Sequence, residues 1–459
     1  MIYLRAKKNN MPFQDYSREF KRNLSIAIPI MAGQIAHLMV ALADNVMVGK
    51  LGPAALAAVS LGNTLVFLAI AIGVGFSFAI TPLVAERHAQ NQFESVRSIF
   101  HNGLLLCSVL GVALCLLLFM AEPLLYLLKQ PQEVVVLAVP YMRITAFSLI
   151  PLMVFQAFKQ FSDGLSQTIH SMHAAIIANA INIFLNYLLI YGAFGFPRLE
   201  VAGAAYGTLI ARVLMVPILI VLLMKRKDLV GYFKGAFIVS STAMRKLLNI
   251  GFPTALQMFF EVSLFTAAIL LSGVLGTKNQ AANQIALNLS AITFMVGVGL
   301  SVTATVRVGN QIGLRNMPEL KRIASSIFLM TFFVELLFAA LFFLGRDILP
   351  WIYIDDAEVV AIASQLLIIA AIFQISDGLQ VVYIGALRGF QDVWLPSLIC
   401  FVAYWLVGFP ASYYLGLHTS LEAQGIWIGL LIGLSVSAVL MYWRYAVLLS
   451  KNIQKNSVM

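Results

Sequence analysis

Four carboxylates interrupt otherwise apolar stretches of this sequence: Asp44, Glu261, Glu335 and Asp377. A charged side chain at the centre of an apolar membrane helix costs roughly 2.5 to 3.5 kcal/mol, so such residues generally face a cavity, a partner or an ion. A carboxylate in these surroundings can bind a cation or exchange a proton. These four acids are therefore the first candidates for a functional role.

Two of these acids have amide neighbours on their own helical face. Glu261 follows Gln257 by four residues, and Asp377 lies three residues from both Gln374 and Gln380, spacings that bring side chains together on a helix. Counted at 1.5 Å per residue, Glu261 and Asp377 lie within about 5 Å of the same depth. Because oxygen ligands suit a hard cation, the pair predicts a shared site for Na⁺.

Asp44 belongs to a different polar face. Gln34, His37 and Asp44 return to nearly the same azimuth of one helix. This face indicates a polar wall that handles a proton or a substrate.

A structural alternative exists for each acid. The carboxyl could stay protonated, or it could pair with Arg143 or Arg212, the two arginines inside apolar segments. For Glu335, whose sequence neighbours are all apolar, this alternative is favoured.

The elements that carry these residues are helices long enough to cross a membrane. Of the 459 residues, 61% are hydrophobic and 11% are charged, against roughly 25% charged in soluble domains. Apolar runs of about twenty residues recur along the chain, the length that crosses a hydrocarbon core of about 30 Å. Helices satisfy their own backbone there, and the runs lack the alternation of barrel strands. The sequence predicts an all-α integral membrane protein with twelve transmembrane helices, at 24–48, 54–82, 98–120, 134–156, 168–191, 201–224, 248–275, 281–306, 322–345, 359–386, 395–416 and 424–448.

The positions of Lys and Arg predict the orientation. With the N-terminus in the cytoplasm, most of the 30 Lys and Arg lie on the cytoplasmic side, as the positive-inside rule requires. The outer loops then hold Lys50, Lys129, Arg198, Lys278 and Arg346. Both termini are expected to be cytoplasmic. The net charge of +10 then reflects topology, and no nucleic-acid partner is expected.

The chain repeats itself at a shift of about 224 residues. The matched pairs are Pro29 with Pro253, Leu51 with Leu275, Gly75 with Gly299 and Thr81 with Thr305 at this shift, Gly203 with Gly425 at 222, and Phe161 with Phe390 at 229. Because Gly and Pro rather than Leu carry the register, the match indicates two six-helix bundles in a parallel repeat. The predicted organisation is a tail 1–23, a bundle 24–224, a linker 225–247, a bundle 248–450 and a tail 451–459.

Four segments resemble the multidrug and toxic compound extrusion (MATE) family, in particular its NorM branch. They are Ala-Asp-Asn-Val-Met-Val-Gly at 43–49, Phe-Phe-Glu-Val-Ser-Leu-Phe at 259–265, Thr-Val-Arg-Val-Gly at 305–309 and Leu-Arg-Gly at 387–389. The resemblance implies cation coupling at Glu261 and Asp377, and proton or substrate handling at Asp44.

Further residues take expected roles from the same resemblance. The pair Asp355 and Asp356 resembles an outer-loop acidic pair linked to cationic drug recognition. Phe294 departs from relatives that have Tyr near the cation site, although its ring could still face a cation. Together with polar residues predicted independently of the resemblance, namely Gln34, His37, Gln257 and Gln284, the residues expected to handle substrate or protons are Asp44, Phe294, Asp355 and Asp356.

The function implied by the resemblance is antiport. The protein is expected in a bacterial inner membrane, as a monomer among membrane lipids, exporting amphipathic organic cations in exchange for Na⁺, or alternatively H⁺, by alternating access. No enzymatic activity and no cofactor are expected. The chain has no Gly-x-x-x-x-Gly-Lys-Ser/Thr motif, which argues against ATP hydrolysis in this polypeptide.

Three other classes of function remain as alternatives. A flippase for lipid-linked precursors would share the bundle architecture but would favour several Arg or Lys in its cavity. A channel would use the same spans without moving its substrate against a gradient. A membrane enzyme would need a reactive cluster, for which Asp163, His170 and His173 are the nearest candidates, without a recognisable catalytic spacing.

Overall fold

The structure is a computed structural model that describes residues 13–127 and 131–457. The predicted tail cations Arg5, Lys7 and Lys8 and the loop residue Lys129 lie outside these ranges.

Twelve helices in the described ranges are long and apolar enough to cross a membrane, so the predicted all-α fold with twelve spans is confirmed. The spans are α1 (Arg18–Gly49), α2 (Pro53–Ala89), α3 (Phe93–Tyr126), α4 (Gln132–Gly164), α5 (Thr168–Tyr191), α6 (Glu200–Met224), α7 (Ser241–Val274), α8 (Thr277–Gly313), α9 (Met317–Gly345), α10 (Ala357–Gly389), α11 (Trp394–Leu417) and α12 (Glu422–Gln454). We call α1–α6 the N-half and α7–α12 the C-half.

Some helices continue past their predicted ends. The helix that contains α1 begins at Phe13, inside the segment that the sequence assigned to a tail. Glu19 and Asn23 on this extension are fully buried, so tertiary contacts that hydropathy does not register hold it in place. The span α2 consists of two helices, Pro53–Ser77 and Ile80–Ala89.

Each half has its own apolar core, and the first helix of each half also contacts the other core. Ala27 of α1 is buried in the core formed by α7–α12. Leu247 and Ile250 of α7 are buried in the core of the N-half. The beginnings of α1 and α7 therefore help to hold the two halves together.

Backbone conformation reveals the repeat independently of side-chain type. Left-handed φ angles recur in pairs, at Gly52 and Gly276 (123° and 108°), Asn91 and Arg315 (56° and 55°), Ser166 and Gln391 (61° and 61°), and Glu200 and Glu422 (52° and 47°). A non-glycine residue with positive φ is uncommon, so its recurrence at matched positions indicates the same turn in both halves. The predicted parallel repeat of two six-helix bundles is confirmed.

The shift of 229 predicted from Phe161 and Phe390 is wrong by about one helical turn. Ser166 matches Gln391, and Gly164 matches Gly389, since a methyl group at either glycine would lie 2.9 Å from a threonine carbonyl oxygen, that of Thr81 or of Thr305. The correct shift here is 225. A displacement of four residues keeps side chains on the same helical face, which explains why the phenylalanine pattern was misleading.

The connection between α6 and α7 lies on the N-half. Arg97 donates a hydrogen bond to the Ala236 carbonyl oxygen (2.7 Å), and the Ile238 amide donates to His101 Nδ1 (3.0 Å). Asn102 exchanges hydrogen bonds of 3.0 Å with the backbone of Ile238 and Ser240. We call the side of the molecule that carries this connection the linker side.

Candidate functional site

A polar cavity of about 560 Å³ lies in the N-half. Gln34, His37 and Asp44 all line it, so the helical face predicted from their spacing does form one wall. Side chains from α2, α4, α5 and α6 complete the cavity.

Asp44 has a specific hydrogen-bonding partner in this cavity. The Asn186 side-chain amide donates a 2.5 Å hydrogen bond to Asp44 Oδ1. Arg212 lines the same cavity and interacts electrostatically with Asp44, but its guanidinium donates to Ser148 Oγ at 2.7 Å instead. Asp44 and Arg212 therefore offer opposite charges to a ligand without forming a direct salt bridge in the described part of the chain. Sequence reasoning did not identify Asn186.

The C-half contributes to the wall of this cavity through α7 and α8. Ile269 and Gln284 line it, and Gln284 also donates a hydrogen bond to Asn288 Oδ1 (3.1 Å). Gln284 thus places a polar group of the C-half in the wall of the N-half cavity.

A second polar site lies inside the C-half. Glu261 and Asp377 are 4% and 3% exposed and close enough for their charges to interact. Glu261 Oε1 and Asp377 Oδ1 have no hydrogen-bonding partner among the described residues. Buried carboxylate oxygens generally have partners, so these two atoms suggest a ligand of opposite charge.

Glu335 joins this pair, although the sequence favoured a purely structural role for it. Its carboxylate is 1% exposed, interacts electrostatically with Asp377, and leaves Oε2 unpartnered within the described ranges. We call Glu261, Glu335 and Asp377 the acid cluster. An intramembrane glutamate was the available sequence signal, but only the packing of α9 against α10 reveals its neighbour.

Amide and hydroxyl groups supplement the acid cluster. Gln374 accepts a 2.5 Å hydrogen bond from Thr293 Oγ1, while both amide atoms of Gln380 lack partners in the described part of the chain. Tyr404 is fully buried and interacts electrostatically with Glu261 and Asp377. It lies in a π-helical segment of α11, Val402–Gly408, a distortion that frequently marks functional sites.

Tyr404 was missed by sequence reasoning, which looked for a hydroxyl at Phe294. Phe294 is half-buried on α8, one residue after Thr293. The Tyr404 hydroxyl has no hydrogen-bonding partner in the described part of the chain, so a buried tyrosine from a different helix is available in the same half as the acid cluster.

The remaining predicted residues lie elsewhere. Gln257 is buried on α7, one turn before Glu261. Asp355 is exposed, and Asp356 caps α10 by accepting hydrogen bonds from the backbone amides of Glu358 (2.9 Å) and Val359 (3.3 Å). The acidic pair is outside the residues that line the N-half cavity, and capping occupies one oxygen of Asp356.

Arg143 and Asp163, the groups considered for alternative roles, have their own partners. Arg143 forms two hydrogen bonds to Glu122 at 2.7 and 2.8 Å. Asp163 is paired with Lys159 at 2.8 Å and accepts a 3.1 Å hydrogen bond from Ser171. Neither residue is paired with a member of the acid cluster or with Asp44.

Polar contacts join the two halves on the linker side. Glu19 of α1 pairs with Arg307 at 2.7 Å and with Arg322 at 3.2 Å. Asn23 accepts a hydrogen bond from Arg307 and donates one to Ser326 Oγ at 2.9 Å. At the end of α2, Gln391 of the C-half donates to Glu86 at 2.5 Å.

An apolar cluster lies beside these contacts. It consists of the buried residues Ile30 and Phe78 of the N-half and Val302 and Val306 of the C-half, and we call it the plug. These buried side chains pack the two halves against each other next to the polar contacts of the linker side.

Comparisons with known proteins agree with this architecture. The family model MatE matches residues 29–188 and again residues 253–414, once in each half. The multidrug resistance protein NorM of Photobacterium profundum is 31% identical over 436 residues, which cover 94% of this chain and 96% of that protein. The protein of the same name from Vibrio cholerae is 31% identical over 440 residues, with 93% and 96% covered.

Solved structures share the fold. The eukaryotic MATE transporter AtDTX14 superposes with a TM-score of 0.87 at 21% identity, covering 97% of this chain and 100% of that one. The outward-facing conformation of a multidrug resistance MATE family transporter superposes with a TM-score of 0.86, covering 94% and 96%. Because the family model matches both halves and the relatives align over nearly the whole length, the chain belongs to the MatE family of membrane transporters.

Proposed function

We propose that this protein is an antiporter that exports amphipathic organic cations in exchange for Na⁺, by alternating exposure of the space between its halves. The relatives described above are named multidrug resistance proteins. The acid cluster is the proposed Na⁺ site, and the N-half cavity is the proposed substrate site.

The unpartnered oxygens of Glu261 and Asp377 are the observation that carries this proposal. Leaving charged groups buried without partners is costly, and a cation between two carboxylates would remove that cost. Three acids together with amide and hydroxyl oxygens form the donor set that a hard cation prefers. The acids are not repeated in the N-half, since Glu261, Glu335 and Asp377 correspond to His37, Gly111 and Met153 at the shift of 224.

The closed linker side supports alternating access. The contacts of Glu19, Asn23 and Glu86 with the C-half all lie on this side, which is cytoplasmic under the predicted orientation. Exposure to the cytoplasm would require these contacts and the plug to open. One Na⁺ that enters down the membrane potential supplies roughly 2.3 kcal/mol per 100 mV, before any concentration gradient.

Dye efflux from proteoliposomes tests the proposal, with Na⁺ and pH gradients imposed separately. An inward Na⁺ gradient should drive ethidium-like cations against their own gradient and should have little effect on anionic dyes. Glu261→Gln and Asp377→Asn should each abolish the Na⁺ stimulation while the protein still binds the dye. Glu122→Gln, which alters a partly exposed carboxylate paired with Arg143, is the matched control and should behave as the unmodified protein.

Each outcome separates the alternatives. Full Na⁺ stimulation in Glu261→Gln would move the coupling site away from the acid cluster. Efflux driven by the pH gradient alone would replace Na⁺ with H⁺ as the coupling ion. Equilibration without accumulation against a gradient would indicate a channel. A flippase for anionic lipid-linked precursors would need several cavity cations, and Arg212 is the arginine that the described lining provides.

A further inference from the structure

Arg388 is a buried cation that belongs neither to the acid cluster nor to the lining of the N-half cavity. It lies at the linker-side end of α10, is 4% exposed, and its Nε atom has no hydrogen-bonding partner in the described part of the chain. Its charge interacts with that of Glu261 in the acid cluster. A buried guanidinium normally uses its rigid set of donors on a carboxylate or carbonyl, so this environment is unusual.

The guanidinium also contacts the opposite half. Arg388 Cζ lies 4.3 Å from the centre of the Phe78 ring, within the range of a cation–π interaction. Phe78 lies at the junction between the two helices of α2 and belongs to the plug. One side chain thus interacts with the acid cluster of the C-half and with the closure between the halves.

The repeat indicates that the scaffold itself does not need a cation at this position. At the shift of 225 that matches Gly164 with Gly389, the counterpart of Arg388 is Asp163. Asp163 is fully buried and is satisfied by Lys159 and Ser171 of its own half. The N-half therefore builds the same helix end with an acid that is locally paired, whereas the C-half has a cation that contacts the other half.

We propose that Arg388 is a positioning residue that couples occupancy of the acid cluster to opening of the plug. This inference rests on the proposed antiport function. While Glu261 is free of external cations, its negative charge compensates the buried guanidinium and holds it over Phe78. A cation bound at the acid cluster uses that negative charge and repels Arg388, since like charges interact strongly in a low-dielectric interior.

Cation binding at the acid cluster therefore determines which side of the transporter opens. Once its counter-charge is taken, burial of Arg388 becomes unfavourable, and the guanidinium leaves the Phe78 ring. The plug then loses a contact between the halves. Binding of the coupling cation therefore favours opening on the linker side, which is where an antiporter must release that cation.

Two measurements on purified full-length protein test this inference. The first is the Kd for Na⁺, measured by radioactive Na⁺ binding. The second is the rate at which a maleimide labels a cysteine introduced into the plug by Val306→Cys, a fully buried position. The native residues Cys107, Cys115 and Cys400 are buried, and protein without the added cysteine gives their background.

Arg388→Gln and Arg388→Lys separate charge from packing. Removing the repelling charge in Arg388→Gln should tighten Na⁺ binding by about tenfold, and Na⁺ should no longer accelerate labelling. Arg388→Lys keeps the charge and should keep both the Kd and the acceleration. A purely structural role for Arg388 would not tighten Na⁺ binding when the residue is removed.

Phe78→Leu provides an independent measurement if Arg388→Gln fails to fold. It should raise the labelling rate without Na⁺ and, because cation binding and opening are reciprocally linked, should also tighten Na⁺ binding. An unchanged Kd and an unchanged Na⁺ response in Arg388→Gln, or an unchanged labelling rate in Phe78→Leu, would overturn the inference.

Failure of the proposed function has a different signature. In that case the unmodified protein would show no efflux driven by Na⁺ or by a pH gradient, and neither cation would alter labelling at Val306→Cys, which would remove both proposals together. Intact efflux in the unmodified protein with no effect of Arg388→Gln on Kd or labelling would remove only the inference about Arg388.

Discussion

The Glu335 side chain packs against the bare backbone of Gly378, the residue that follows Asp377, so that a methyl group added at Gly378 would collide with the Glu335 carboxylate. A glycine at this position on α10 gives a second helix room to bring its acid beside Asp377. The acid cluster therefore depends on the absence of a side chain as well as on three carboxylates.

Glu335→Gln should weaken the coupling cation site. Because Glu335 interacts electrostatically with Asp377, removing its negative charge should raise the Na⁺ concentration for half-maximal efflux by about tenfold, with dye binding unchanged. Gly378→Ala should have a similar effect by displacing the Glu335 side chain. The measurement is the Na⁺ dependence of initial efflux rates, and an unaltered dependence in both variants would return Glu335 to a structural role.

Asp44→Asn should weaken substrate binding more than it reduces the stimulation of efflux by Na⁺. The variant removes the charge that accepts the Asn186 hydrogen bond and leaves Arg212 as the dominant charge in the cavity. Affinity for a cationic dye should fall about tenfold or more, while the relative stimulation by Na⁺ is retained. Equilibrium dye binding and efflux test this, with Asp228→Asn in the exposed connection as the control; a loss of Na⁺ stimulation with normal dye affinity would contradict it.

Glu19→Gln should loosen the closure on the linker side. Glu19 is fully buried between Arg307 and Arg322, and removing one partner of a buried ion pair costs about 3–5 kcal/mol. Maleimide labelling at Val306→Cys should accelerate several-fold. The control is Glu94→Gln, because the Glu94 carboxylate is 70% exposed and lies 3.8 Å from Arg97, a surface contact worth at most about 1 kcal/mol. Equal labelling rates in the two variants would argue against a closure role for Glu19.

Gly75→Ala should disturb the packing between the two halves, whereas Gly73→Ala should not. A methyl group at Gly75 would lie 2.7 Å from the Thr254 carbonyl oxygen and 2.9 Å from Ala255 Cα of α7, which are backbone atoms that cannot move alone. A methyl group at Gly73 would meet the flexible Met153 and Leu114 side chains of the same half. Overpacking typically costs about 1–3 kcal/mol, so only Gly75→Ala should lower the maximal efflux rate and raise labelling at Val306→Cys. Equal efflux and labelling rates in the two variants would mean that the contact between α2 and α7 can adjust to an added methyl group.

Reporter fusions test the orientation. Because Lys and Arg are concentrated on one side, fusions at Lys227 and Lys455 should report the cytoplasm, and a fusion at Arg346 should report the periplasm. Paired alkaline phosphatase and fluorescent protein fusions give opposite signals on the two sides. A periplasmic signal at Lys227 would contradict the model of two halves in the same sense.

The sequence predicted the twelve spans because each is a long apolar run, a property that does not depend on tertiary contacts. The grouping of Gln34, His37 and Asp44 was also predictable, since all three lie on one helix. The proximity of Glu261 and Asp377 followed from their matched depth on two helices of the same bundle.

Other features could not be predicted, because they depend on which helix faces which. Glu335 and Tyr404 reach the acid cluster from α9 and α11, whose places in the bundle the sequence does not reveal. The contact of Arg388 with Phe78 joins residues of different halves. The burial of Glu19 required knowledge that the beginning of α1 packs against the C-half.

The docked connection between α6 and α7 has a mechanical consequence. Because Ala236, Ile238 and Ser240 are hydrogen-bonded to side chains of α3, we expect this segment to move together with the N-half. Ser240 also caps the next helix, accepting from the Ala243 amide at 3.3 Å, and Leu247 and Ile250 at the start of that helix are buried in the N-half core. The connection and the beginning of α7 therefore belong mechanically to the N-half. We expect a rotation of one half against the other to bend α7 beyond Ile250, where Pro253 removes a backbone hydrogen bond from the helix.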